Sequence, residues 1–168
     1  MKTLVILLMS AGLSLFDPSL FPSGAVQEQD MQTKTFHVKK GGTLEVNIDP
    51  GTVEITPWEK DEVLIEAENI DERRPERLKM TQSDNTVQIE YTDRRRNVRK
   101  LRFLVNVPSE FNVNVNTTGG NAIVSGGLRG NFKVDTDGGN VEMDEIAGQV
   151  EVRSSGGNIK AARVEGDA

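Results

Sequence analysis

The C-terminal half of the chain repeats itself, and this limits the fold more than any other feature. Residues 111–130, 131–148 and 149–166 read FNVNVNTTGGNAIVSGGLRG, NFKVDTDGGNVEMDEIAG and QVEVRSSGGNIKAARVEG. Glycine pairs begin at Gly119, Gly138 and Gly156, and single glycines close the copies at Gly130, Gly148 and Gly166, a period of about 18 residues. Aliphatic residues recur at matched places: Val113 and Val115 match Phe132 and Val134, then Val150 and Val152. Ala122 and Val124 match Val141 and Met143, then Ile159 and Ala161, while Leu128, Ile146 and Val164 complete the set. The local period of two is that of a strand; a helix would space these residues by three and four. Strands this short cannot each bury a face alone, so the copies must stack. The expected fold is all-β: a single-stranded β-solenoid with coils of about 18 residues, the first copy absorbing its extra residue near Gly126 and Gly127.

Within such coils the glycine pairs fall at corners. Gly119, Gly120 and Asn121, then Gly138, Gly139 and Asn140, then Gly156, Gly157 and Asn158 separate two strand signals in each copy. Glycine reaches positive φ without steric cost, which predicts a sharp bend there. Stacking would set the three asparagines in a ladder, with Thr117, Thr136 and Ser154 as a hydroxyl column beside them. The threefold recurrence argues for structure, since a catalytic loop is needed once. The P-loop and dinucleotide glycine patterns do not occur. Read from Asp135, a calcium loop would need Gly where Asn140 stands and Glu where Ile146 stands. Asp135, Asp137, Asp144 and Glu145 are therefore read as a solvated acidic face, and no metal or cofactor is expected. A column of three hydroxyls lacks the wide flat array of an ice-binding surface.

The N-terminal half alternates with less regular spacing. Leu44, Val46 and Ile48 precede a turn at Asp49-Pro50-Gly51; Val53 and Ile55, Val63 and Ile65, Val87, Ile89 and Tyr91, and Leu101, Phe103, Val105 and Val107 follow. These are expected either as diverged coils of the same solenoid or as a small β-cap leading into it. The one helical hint, DERRPERL, is interrupted by Pro75.

The order GGTLEVNIDPGTVEITPWEKDEVLIE, then VPSEFNVNVNTTGGN, then repeated glycine-pair coils resembles the bacterial putative adhesin domain family, exported β-strand-repeat domains of unknown function. The likeness spans about residues 34–168, and its sharpest element is G-x-V-x-I-x-P-W, Gly51 through Trp58, followed by Val63 and Ile65. The resemblance implies a β-solenoid at the cell envelope. It implies no enzymatic activity, no cofactor and no residue set to carry over.

The N-terminus agrees with export. Lys2, an apolar run from Leu4 to Phe16, and small residues at Ser23 and Ala25 have the layout of a signal peptide cut after Ala25. The run is shorter than the roughly 20 residues of a spanning helix. The expected organisation is a signal peptide at 1–25, a flexible segment at 26–34 and one domain at 35–168. The last residues, VEGDA, match the start of a further coil, so the domain is expected to be a fragment of a longer repeat, or else its open end serves end-to-end self-association.

Charge and residue type narrow the function. Cysteine is absent, which removes disulfides, thiolate metal sites and a cysteine nucleophile. A net charge of −6 argues against nucleic acid as a partner. His37 is the single histidine, in a strand-like stretch without a nucleophile elbow. Asp144 and Glu145 are adjacent, so along an ideal strand they point to opposite faces and make a poor acid pair. The chain is thus expected to be a non-enzymatic exported structural, adhesion or binding module in the periplasm, at the cell surface or outside the cell. The alternatives are a carbohydrate-active β-helix enzyme or a self-assembling filament unit. The conspicuous surface feature is basic: Arg94, Arg95, Arg96, Arg99, Lys100 and Arg102 could engage envelope glycan, anionic lipid or another envelope protein.

Overall fold

The computed structural model describes residues 31–71, 73–93 and 101–166. Among the described residues the regular elements are strands, apart from one turn of 3-10 helix, Pro75–Arg77, that starts on its proline. The strands are β1 (Met31–His37), β2 (Thr43–Asp49), β3 (Thr52–Trp58), β4 (Glu62–Glu68), β5 (Leu78–Ser83), β6 (Thr86–Thr92), β7 (Arg102–Pro108), β8 (Asn112–Thr117), β9 (Ala122–Arg129), β10 (Phe132–Thr136), β11 (Val141–Ala147), β12 (Val150–Ser154) and β13 (Ile159–Glu165). They form two open mixed sheets. One has seven strands in the order β1-β4-β7-β3-β9-β11-β13, the other six in the order β12-β10-β8-β2-β6-β5. The first strand begins at Met31, inside the segment expected to be flexible, and pairs antiparallel with β4.

From β8 onward the chain passes from the six-stranded to the seven-stranded sheet and back, one strand in each. Successive passes pair in parallel with the register that the repeat predicts. Phe132 lies opposite Val113 on one side and Val150 on the other, and Val134 lies between Val115 and Val152. In the other sheet Val141 lies between Ala122 and Ile159, and Ile146 between Leu128 and Val164. Alternate side chains point inward, so the two sheets share one aliphatic core. The extra residue of the first copy falls between Val124 and Gly127, where the register with β11 shifts.

That irregularity changes one expectation. At this shift Ser125 and Gly126 of β9 stand against Asp144 alone, and Asp144 and Glu145 are both exposed rather than on opposite faces.

The N-terminal half adds strands to the same two sheets, some parallel and some antiparallel. β2 and β3 run parallel to β8 and β9, and β6 and β7 run parallel to β2 and β3. β1, β4 and β5 add antiparallel strands beyond them. The pair β2–β3, first of these in the chain, therefore lies in the middle, between β6–β7 and β8–β9. At this end the outermost strands are tied across the two sheets: Lys34 Nζ donates to the Met80 carbonyl at 2.6 Å and Gln82 Nε2 to the His37 carbonyl at 2.7 Å.

The opposite end is formed by β12 and β13, each the last strand of its sheet. Val134 is buried, but Val152 and Val164 are only partly covered, and Ile159, matched by its register to the fully buried Val141, is 50% exposed. The inward pattern is kept while the neighbour that would cover it is missing among the described residues.

Candidate functional site

The corner residues lie in the short connections that carry the chain between sheets. Gly119, Gly120 and Asn121 join β8 to β9; Gly138, Gly139 and Asn140 join β10 to β11; Gly156, Gly157 and Asn158 join β12 to β13. The asparagines are linked through side chain and backbone: the Asn140 N–H donates to Asn121 Oδ1 at 3.1 Å and the Asn158 N–H to Asn140 Oδ1 at 3.0 Å. The hydroxyls beside them face inward. Thr117 and Thr136 are buried, Thr136 Oγ1 accepts the Gly139 N–H, and Ser154 Oγ accepts the Gly157 N–H and donates to the Gly139 carbonyl. These polar groups are spent on holding one connection to the next.

The glycines act differently from expectation. Of the six in the pairs, only Gly120 has a positive φ, at 159°, on the border of extended backbone. The second glycine of each pair is demanded by close approach instead. A Cβ on Gly120 would lie 2.0 Å from the Gly51 carbonyl oxygen, one on Gly139 1.6 Å from that of Gly120, and one on Gly157 1.8 Å from that of Gly139. The first glycines have room: the nearest atom to a Cβ on Gly138 is 3.9 Å away. Positive φ is found at the other turn of each copy, where Gly130 and Gly148 have φ of 145° and 152°.

Of the basic cluster, Arg94, Arg95, Arg96, Arg99 and Lys100 lie outside the described residues. Arg102 starts β7 on the outer face of the seven-stranded sheet and is held by carboxylates on both flanking strands. Its guanidinium donates two bonds to Glu54, at 2.8 and 2.6 Å, and lies 3.6 Å from Glu68. The bonds it donates to Glu54 raise its pKa further above the ordinary arginine value. Arg102 is thus committed within its own sheet.

Next to the cluster the structure brings in residues that the sequence reading did not single out. Asp93, 7% exposed, forms an ion pair with Arg77, whose side chain is 17% exposed. Tyr91 Oη donates to the same carboxylate at 3.5 Å. Burial pushes the Tyr91 phenol's pKa up, and the charge of Asp93 adds to the shift. The ion pair fastens the β4–β5 connection, with Arg73 and Arg74 exposed upon it, to the point where the basic segment leaves β6. The arginines of DERRPER were visible in the sequence; the pairing of Arg77 with Asp93 was not, since it depends on a tertiary contact.

The acidic residues are also engaged. Asp144 Oδ2 accepts the Gly126 N–H at 3.2 Å, and Glu145 lies 3.9 Å from Arg163. Among the described residues, no group of three or more His, Asp and Glu side chains is placed to hold a metal ion, and no helix is long and apolar enough to cross a membrane.

No protein-family model matches this chain, and no curated protein does. Solved structures do. A putative lipid binding protein from Parabacteroides distasonis is 11% identical, with 81% of this chain and 94% of that one covered and a TM-score of 0.42. A putative adhesin from the same species is 14% identical over 83% of this chain and 68% of that one, TM-score 0.43. A putative cell adhesion protein from Clostridium sporogenes is 10% identical over 83% of this chain and 100% of that one, TM-score 0.43. The chain is similar to solved bacterial proteins that carry adhesin or adhesion names.

Proposed function

We propose that the chain is a non-enzymatic, exported binding module of the cell envelope, a β-solenoid that presents a basic end to anionic surfaces. Export rests on the signal-peptide layout of residues 1–25. The solenoid reading is supported by the parallel pairing of successive copies, made in both sheets and sustained by asparagine links that span 19 and then 18 residues. On this reading each sheet-to-sheet pass is one coil, and β1, β4 and β5 form the cap.

The observation that carries the binding role is the Arg77–Asp93 ion pair. It fastens the connection that carries Arg73 and Arg74 to Asp93, the residue that precedes Arg94 in the sequence, and on this reading both connections supply cations. Guanidinium groups suit phosphate and carboxylate, which they contact bidentately. The ligand class is therefore anionic: phosphorylated lipid headgroups or acidic wall glycan.

Replacing Arg94, Arg95 and Arg96 together by glutamine should abolish sedimentation with vesicles rich in anionic phospholipid or with isolated cell wall. Loss with one and not the other identifies the source of the anion. Unchanged sedimentation with both would remove the proposal.

A further inference from the structure

We infer that the β12–β13 end is a dimerisation surface for a second copy of this chain, joined antiparallel through β12 about a two-fold axis at Val152. β12 is the last strand of its sheet, and its backbone directions can be read from the bonds it makes. The Phe132 N–H donates to the Gln149 carbonyl, and the Ser155 N–H donates to the Thr136 carbonyl. Odd-numbered residues there turn their backbone groups toward β10, so Val150, Val152 and Ser154 turn theirs to the open edge.

An antiparallel pairing centred on Val152 uses those groups. Val152 meets its own copy as a hydrogen-bonded pair, and Val150 meets Ser154. The flanking positions form the closer, non-hydrogen-bonded pairs, which set Glu151 opposite Arg153 of the second copy, and Arg153 opposite its Glu151. The edge is therefore complementary to itself in charge as well as in backbone. The side chains are available: Glu151 and Arg153 are 43% and 65% exposed, and among the described residues their ion pairs are with each other and between Glu151 and Lys133.

The dyad of such a pair runs perpendicular to the sheet and so crosses the core to the other sheet. There it sets β13 against its own copy and covers Ile159, with Val152 and Val164 closing the aliphatic layer between. A closed pair rather than a filament is favoured because the far end is tied off by the Lys34–Met80 and Gln82–His37 bonds.

The test is light scattering coupled to gel filtration on residues 26–168, which contain every described strand. The wild type should be a dimer. Val152→Pro removes an N–H that makes no bond to β10, so it should leave the circular dichroism unchanged and give a monomer. Arg153→Glu places like charges together twice and should raise the dimer Kd about tenfold; Glu151→Arg combined with Arg153→Glu should restore it. If Val152→Pro unfolds, the charge series alone decides. A wild type monomeric up to roughly 100 μM, species that keep growing with concentration, or a dimer indifferent to the charge changes would each overturn the inference.

Discussion

Two glycines in one turn have opposite roles. Gly139 has no space for a methyl group because the backbone of the previous connection passes against it, while Gly138 has room for one, in ordinary contact with the Thr118 carbonyl. Gly139→Ala should therefore destabilise by about 1–3 kcal/mol or more, as overpacking against rigid backbone does. Gly138→Ala should fall between no change and a gain of about 0.4–1 kcal/mol from restricting the unfolded chain. Urea midpoints compare the two directly, and equal losses would argue against close stacking. The turn itself was legible in the sequence from the recurrence of the pair, but its physical reason was not. Close approach leaves the same mark in a sequence as positive φ, since both demand glycine. A second residue-scale expectation concerns Tyr91, the one tyrosine of the chain, whose phenol is held neutral by burial. Its folded pKa lies above its unfolded value of about 10, so this contribution to stability is full below pH about 10 and lost as pH rises through the folded pKa. Tyrosinate absorbance should thus lag behind that of an exposed tyrosine and appear together with alkaline unfolding. Titration at the ordinary pKa in a folded protein would show the ring to be accessible.

At the scale of strands, the C-terminal pairings follow from the sequence residue by residue. Matched aliphatics become register partners because a one-residue slip would turn every valine outward. The same argument fails for β2, β3, β6 and β7. Their alternation specifies which face is buried but not which neighbour is chosen, and any strand of similar length satisfies it. Nothing in Leu44-x-Val46-x-Ile48 tells that its flanks are Val87-x-Ile89-x-Tyr91 and Val113-x-Val115. The irregularity beside Asp144 escaped for a related reason: strict alternation assigns each residue a face, and the extra residue of β9 opposite Asp144 breaks the rule there. Arg102 was read as part of a surface cluster because its sequence neighbours are basic, whereas its partners Glu54 and Glu68 come from flanking strands.

For the whole molecule, stability is expected to accumulate by added repeats. In the proposed solenoid each copy contacts the copies on either side, so the energy is a sum over copies and the surfaces between them. Inserting a second copy of residues 131–148 after Gly148 should give a folded chain, its thermal midpoint unchanged or raised by roughly 2–4 °C for each kcal/mol of added contact. Loss of the cooperative transition would show that the passes do not act as interchangeable coils. The position of β2–β3 in the stack has its own consequence for how the protein is made. Gln88, opposite Glu45, follows it by 43 residues, and Asn112, which bonds the Gly42 carbonyl, follows that glycine by 70. A ribosome or secretion channel releases this segment early; β6 and β7 then cover one flank, and the other waits for β8 and β9. A nascent chain stalled before residue 112 therefore leaves one flank of Leu44, Val46 and Ile48 unpaired, the length over which a holding chaperone is needed most.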